Sequence, residues 1–349
     1  MNKPKYCVPN MDEVLTTPKN GYKVASTFSG GGGSCLGYRL AGYDVVWANE
    51  FVESAYTTYQ LNMPSTYIDT RDIREVQASD ILVQAGLHVG ELDLFDGSPP
   101  CVSFSTAGKR EKLWGVETDT YGKMQTNDDL SFEYIRLLEG LKPKVFVMEN
   151  VSGLVKGVSK GYFIEILKRL KAVGYRVVVK LLNASWLGVP QMRQRLIFIG
   201  VRADLNIDPV HPKPLAYQYL LRDAFDSITN NVIEACTDIS KYQVYRNWHE
   251  TSYGKNHHDH FSLYRPHLDK PCNTISAITA DVTANKVFHP TEARAFSLAE
   301  LRAICSFPPD YQFLDYKSGG SIMGNSVPPM LMYYVAKTIQ TEMLDKIGW

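Results

Sequence analysis

The chain has 349 residues, with 37 Lys and Arg against 37 Asp and Glu, so its formal net charge at neutral pH is zero. That balance excludes a globally basic nucleic-acid coat, although a local basic cleft can hide inside a neutral total. No run approaches the ~18 apolar residues of a membrane span, and six scattered cysteines without a CxxC pair fit a reduced cytoplasmic protein better than a disulfide or cysteine–zinc scaffold. The N-terminal residues lack the apolar core of a signal peptide. The length exceeds one average domain and predicts two lobes.

Residues 23–50 read as strand, glycine loop, helix and strand, with Phe28-Ser29-Gly30-Gly31-Gly32-Gly33 as the loop and Glu50 at the end of the second strand. Glycines let a backbone approach a cofactor closely, and an acid at that strand tip can bind ribose hydroxyls. The strict G-x-G-x-x-G pattern fails, because Cys35 stands at its sixth position. This favours a nucleoside cofactor without a pyrophosphate, such as S-adenosylmethionine, over a nicotinamide dinucleotide. Residues 51–62 predict a helix stopped by Pro64.

The apolar runs "LDLF" (92–95) and "KVFVM" (144–148) read as buried parallel strands, with an amphipathic helix over 128–141 between them. The first run leads into Asp96-Gly97-Ser98-Pro99-Pro100-Cys101 and the second into Glu149-Asn150. Functional groups in open α/β sheets lie beyond the carboxyl ends of the strands, so a thiol and a carboxylate are delivered to one crevice. A lone cysteine is often an inert buried thiol, but here prolines fix the backbone ahead of it and nearby cations favour the thiolate. The polar, glycine-bearing segment 105–128 predicts a mobile lid, with Lys109 and Arg110 reaching phosphates.

A helix over 161–174 precedes a β pair, 175–184 and 195–201, around a polar segment. Alternation there puts Gln191, Arg193 and Arg195 on one face, suited to an anion or carbonyl, or to orienting Glu149. Residues 202–290 lose regular periodicity and hold seven of the eight histidines, which predicts an inserted irregular lobe. His257-His258-Asp259-His260 reads there as a solvated loop rather than a metal site, and no metal is expected. A short helix near 297–305, a loop from Gly319 through Asn325-Ser326-Val327-Pro328-Pro329 and a final helix close the chain.

The collinear segments "FSGGGG", Glu50, "RDI" (71–73), "SPPCVSFS", "MENV", "QMRQR", "RAFSLAELRAICSFP" and "GNSVPP" resemble the DNA (cytosine-5) methyltransferase family over about 23–200 and 288–339. The resemblance implies an α/β, Rossmann-like doubly wound S-adenosylmethionine-dependent methyltransferase domain, over 1–201 plus 321–349. It also implies a smaller irregular target-recognition domain over 202–320. It implies that Phe28, Gly30, Gly32, Gly33, Glu50, Phe51, Asp72, Ile73, Asn325 and Ser326 hold S-adenosyl-L-methionine, released as S-adenosyl-L-homocysteine. Cys101 would be the nucleophile, and Glu149, Arg193 and Arg195 would grip the target cytosine. Val102 departs from the pattern, where Gln is commoner, as do Ala293 and Ile304-Cys305-Ser306.

The chemistry of the residues agrees with this. A thiolate added to C6 turns C5 of cytosine into an enamine carbon able to attack an electrophilic methyl, and an acid at N3 stabilises the adduct. C6 is inaccessible in a duplex, so the base must be flipped out. Double-stranded DNA is the expected partner, read by Arg246, Asn247, Lys255, Asn256 and Thr279 and contacted by Ser105, Lys109 and Arg110. A monomer is expected, with a cognate restriction endonuclease as a companion. The competing readings are a tRNA cytosine-5 methyltransferase, a non-catalytic DNA-binding relative and a nicotinamide dehydrogenase.

Overall fold

The computed structural model describes residues 3–100, 130–155, 160–229, 236–260, 262–278 and 286–347, with the backbone of a short antiparallel pair at Thr118–Thr120 and Lys123–Gln125. Short β-rich runs form one seven-stranded sheet: β1 (Lys23–Thr27), β2 (Asp44–Asn49), β3 (Tyr67–Asp69), β4 (Leu94–Gly97), β5 (Val145–Val151), β6 (Tyr175–Asn183) and β7 (Gln194–Arg202), in the order β3-β2-β1-β4-β5-β7-β6. β1 through β5 pair in parallel, and β7 inserts antiparallel to both β5 and β6. The expected β pair is therefore β6 and β7.

The central strands β1, β4 and β5 and most of β7 bury both faces, as a doubly wound sheet requires, while the edge strand β6 is only partly buried. Along β5, Val145 and Val147 enter one core while Phe146 and Met148 enter the other. The second core is covered by α3 (Ala78–Ala85), α4 (Leu130–Leu141) and α5 (Lys160–Ala172), through Ile81, Leu137 and Ile166 among others. The first is covered by α1 (Gly33–Leu40), α7 (Leu298–Cys305) and α9 (Pro329–Glu342). α9 lies directly on α1, where a side chain at Gly37 would strike Met332 Cβ at 2.6 Å and the Pro329 carbonyl at 2.6 Å. Glycine there permits the close helix approach. α2 (Glu53–Asn62) ends at Met63, ahead of Pro64.

Two sequence expectations change. Residues 319–325, expected as a loop, belong to helix α8 (Tyr316–Asn325), capped by the Asp315 carboxylate accepting from the Ser318 amide at 2.7 Å. Its glycines are tolerated because neighbours press on them, Leu298 and Phe313 at Gly319 and the Ser276 backbone at Gly324. Residues 296–320, expected with the smaller lobe, bury Phe296, Leu301, Ile304, Phe307 and Tyr311 in the first core of the sheet. Tyr311 donates to the Gly31 carbonyl, and Asn62 exchanges two 2.8 Å bonds with the Gln312 backbone. The smaller lobe keeps a separate core of Ile239, Val244, Trp248, Leu263 and Phe288, beside α6 (Gln243–Glu250).

The return from that lobe is held by Glu300, the N3 residue of the capping box opened by Ser297. Its oxygens accept from Arg294 at 2.8 and 2.7 Å and from the Ser297 amide at 2.8 Å, and His289 Nε2 lies 3.4 Å away. Burial pushes the Glu300 carboxyl up, but the bonds from Arg294 and His289 outweigh it and leave the group at about 2. Because the folded pKa lies below the unfolded one, the network stabilises the fold above the ordinary carboxyl pKa and loses that effect as pH falls towards 2. Glu300→Gln should cost roughly 2–3 kcal/mol at pH 7 in urea unfolding. The gap to wild type should narrow below about pH 4.5, and a gap that does not narrow would remove Glu300 from this role.

Candidate active site

Five parallel strands end on one side of the sheet, and their carboxyl ends open into a cavity of about 470 Å³. From β1 come Phe28 to Gly31, from β2 Asn49 to Val52, from beyond β3 Asp72 and Ile73, from β4 Ser98 to Pro100, and from β5 Glu149 to Val151. Arg195 enters from the opposite strand direction. Because β7 is antiparallel, its first residues lie beside the last of β5, with Arg195 opposite Val151 and Ile197 opposite Glu149. The α8–α9 junction closes the cavity with Asn325, Ser326 and Val327.

Phe28 carries a φ of 52°, a left-handed backbone unusual for an aromatic residue. The turn sets its side chain partly buried against the second core while it lines the cavity. Glu50 is 9% exposed, and its two oxygens accept from the Gly30 and Val52 amides at 2.9 Å each. Burial pushes its pKa up, and bonds from the Val52, Gly30 and Phe51 amides pull it back. A carboxylate offers about four lone-pair sites, so Glu50 ties the glycine loop to the start of α2 and still has acceptor capacity facing the cavity.

Glu149 and Arg195 form the site's charged centre. Arg195 Nε lies 2.7 Å from Glu149 Oε1, close enough for an ion pair but without the angle of a hydrogen bond. Both are largely buried. Burial raises the Glu149 pKa, and Arg195, Arg193 and the Ser98 hydroxyl oppose that rise. Burial likewise lowers the Arg195 pKa, with Glu149 opposing. Burial thus favours the protonated carboxyl, while the cations and the hydroxyl beside it favour the ionised one. Beside it, Asn150 Nδ2 donates to the Pro99 carbonyl at 3.4 Å, linking the β5 tip to the turn that leads into Cys101.

Most of the expected cofactor set converges here: Phe28, Gly30, Gly33, Glu50, Phe51, Asp72, Ile73, Asn325 and Ser326 all line the cavity. Gly32 does not. Its φ is 87°, and a side chain there would meet Met63 at 2.2 Å and Tyr59 and Tyr311 at 3.2 Å, so it serves core packing. Arg193, expected at the cytosine beside Arg195, is 1% exposed and absent from the cavity lining. Its guanidinium donates to the Ile275 carbonyl at 2.9 Å and the Gly324 carbonyl at 2.7 Å. The strand alternation behind that expectation does not hold, because residues 191–192 pair with Cys272–Asn273 rather than continuing β7.

Of the expected DNA-reading residues, Arg246, Lys255 and Asn256 are exposed on the smaller lobe, whereas Asn247 is 6% exposed on the inner face of α6 beside Val244 and Trp248. Cys101, Ser105, Lys109, Arg110, Thr279 and the expected lid lie outside the described residues, apart from the backbone of the two short strands. The histidine run places Glu250, His257 and His258 within metal-ligand range of one another. However, His257 Nδ1 accepts from the Asp259 and His260 amides at 3.1 Å each, which puts the proton of a neutral ring on Nε2, towards Glu250. That ring then has no lone pair left for an ion. The cavity also recruits Ser318, Ser321 and Ile322, which sequence reasoning missed because it read α8 as a loop.

A doubly wound sheet with one antiparallel strand, a glycine loop after β1 and an acid at the β2 tip define a Rossmann-like methyltransferase fold. The chain belongs to the C-5 cytosine-specific DNA methylase family, whose profile matches residues 22–341. It is similar to Type II methyltransferase M.FnuDI of Fusobacterium nucleatum, 31% identical over 353 residues that cover 93% of this chain and 96% of that one. A prophage-encoded E. coli protein described as a DNA modification methyltransferase superposes with a TM-score of 0.74 at 21% identity, covering 93% of this chain and 99% of that one. A Spodoptera frugiperda DNMT2 mutant superposes at 0.67 with 20% identity, covering 92% and 100%. The protein is thus an enzyme of DNA cytosine-5 methylation, and its Type II relatives do not favour the tRNA reading. Among the described residues, no helix is long and apolar enough to cross a membrane.

Removing the cation from the central pair should expose the cost of burying Glu149. Arg195→Met should destabilise the fold by about 3–5 kcal/mol at pH 8. Without Arg195 the folded pKa of Glu149 rises further above its unfolded value, so stability is lost as pH increases. The deficit in denaturant unfolding should therefore be smaller at pH 5 than at pH 8. An equal deficit at both values would mean that the pair carries no such linkage.

Proposed function

We propose that the cavity binds S-adenosyl-L-methionine against a flipped-out cytosine of a short duplex DNA site, and that Cys101 is the nucleophile. The observation that carries this reading is the meeting of Glu149 and Arg195 at the end of the turn that leads into Cys101. The wall chemistry fits a nucleoside: Phe28, Phe51, Val52, Ile73 and Leu130 offer apolar contact to a ring. Glu50 and Asp72 offer acceptors to hydroxyl and amino groups. The bound cofactor supplies an electrophilic methyl on a sulfonium.

The Cys101 thiolate adds to C6 of the cytosine, and electron density moves to C5. Glu149 donates to N3 and stabilises that adduct, and its burial supports the protonated form. Arg195, beside it, holds O2. With the cofactor bound, C5 would take its methyl as the sulfonium–methyl bond breaks and S-adenosyl-L-homocysteine leaves. A base would then remove the C5 proton, the C6–sulfur bond would break to free the Cys101 thiolate, and the N3 proton would return to Glu149. Arg193 serves by joining segment 275 to the α8–α9 junction rather than by touching the base. Base reading falls to exposed groups of the smaller lobe, Arg246, Lys255 and Asn256, and to Thr279, while Ser105, Lys109 and Arg110 contact DNA nearer the nucleophile. The Type II character of the relatives supports a pairing with a restriction endonuclease of the same specificity, and the absence of a membrane-crossing helix among the described residues agrees with a cytoplasmic site of action.

Labelled methyl transfer to unmethylated genomic DNA and to tRNA, followed by bisulfite sequencing of the DNA, tests the assignment. Methyl groups should enter DNA cytosines at a short recurring sequence. Label entering only tRNA would overturn it. Cys101→Ser should lower turnover by roughly a thousandfold or more while cofactor affinity survives. Activity within tenfold of wild type would remove Cys101 from the mechanism.

A further inference from the structure

Asp96 is a buried carboxyl that the mechanism above leaves unused. It is 1% exposed, the next-to-last residue of β4, five residues before Cys101, and it does not line the cavity. Its Oδ2 accepts from Ser26 Oγ at 2.8 Å and its Oδ1 from Tyr38 OH at 3.0 Å. Ser29 Oγ shares its one proton between Ser26 Oγ at 3.1 Å and the Ser26 carbonyl at 3.0 Å. Ser29 lies in the glycine loop and lines the cavity. A continuous hydrogen-bond chain thus runs from the cofactor loop, through β1, to the strand that delivers the nucleophile, with a second anchor on α1.

We propose that Asp96 is a positioning residue whose ionised carboxylate locks the glycine loop to the end of β4, ahead of Ser98–Pro100, so that its protonation weakens the grip on the cofactor. The ionised carboxylate accepts from both hydroxyls, and such charge-assisted bonds are about twice as strong as neutral ones. A protonated Asp96 must itself donate to one of them, which reverses Ser26 or Tyr38 and slackens the chain up to Ser29.

The groups acting on Asp96 come from each element packed on it. They are Ser26 on β1, Tyr38 and Cys35 on α1, Tyr134 on α4 and Glu149 on β5. Burial pushes the Asp96 carboxyl up to about 7, Ser26 and Tyr38 pull against that rise, and Glu149 adds to it. The switch therefore falls within the physiological range, with the locked form above neutrality and the slack form below it.

The inference rests on the cavity being the cofactor site, and calorimetry with S-adenosyl-L-homocysteine between pH 6 and 8.5 tests both. Wild-type affinity should fall about threefold to tenfold from pH 8 to pH 6, the scale of one hydrogen bond. Asp96→Asn, which keeps the shape but cannot accept twice, should bind weakly and without that inflection. Tyr38→Phe removes one bond to the ionised form and should move the inflection to higher pH. A purely structural tyrosine would weaken binding at every pH and leave the inflection in place, so this variant carries the test even if Asp96→Asn fails to fold. A flat wild-type profile, an inflection that survives in Asp96→Asn, or one unmoved in Tyr38→Phe would overturn the proposal while leaving the cofactor site intact. No binding at any pH would overturn both.

Discussion

The site depends on one strand running the wrong way. β7 enters the sheet against β5, and this alone brings a residue from a strand's beginning to the edge where the other strands end. In a wholly parallel sheet, the start of β7 would lie on the far side. Reversed, it sets Arg195 against Glu149, so a carboxyl carried by a buried strand has a cation within 2.7 Å. Glu149 without that cation would be an isolated buried charge of the kind proteins neutralise or expel.

The same logic extends along the sheet edge. Glu50, Asp96 and Glu149 are three acids at the ends of three parallel strands, all nearly inaccessible to water. Each is held differently: Glu50 by backbone amides, Asp96 by hydroxyls, Glu149 by arginine. Burial raises all three, and the different partners separate their roles. Environments that push titratable groups apart are how a single cleft divides binding, positioning and acid–base work among chemically similar side chains.

Much of this was legible in the sequence, for identifiable reasons. The apolar runs of β1, β2, β4 and β5 are short, bounded by turn residues and followed by polar groups, so both strand and site could be read from them. Glu50 and Glu149 stood out because an acid after an apolar run needs a partner. Arg193 misled because its alternation with Arg195 looked like one continuous strand, when the chain pairs with Cys272–Asn273 before β7 begins, a long-range contact with no local trace. Asn247 misled because α6 has a buried face, and polarity alone does not say which side of a helix meets the core. Helix α8 was hidden by its glycines, which packing against Phe313 and Ser276 makes tolerable. α3 went unread because it buries only Ile81 and Leu82 and leaves Val83 83% exposed, too little pattern to mark a helix.

The central claim is that Cys101 forms a covalent bond to C6 of a cytosine held by Glu149 and Arg195. It is tested most directly with duplex DNA in which 5-fluorocytosine replaces cytosine. Fluorine at C5 cannot leave as a proton does, so after methyl transfer the thiolate has no route to elimination. With S-adenosyl-L-methionine present, the account predicts a stable protein–DNA adduct, resistant to denaturation, with the modified nucleotide mapped by mass spectrometry to the peptide containing Cys101. A protein that methylates ordinary DNA yet yields no adduct with the fluorinated duplex, or one bonded through another residue, would contradict it.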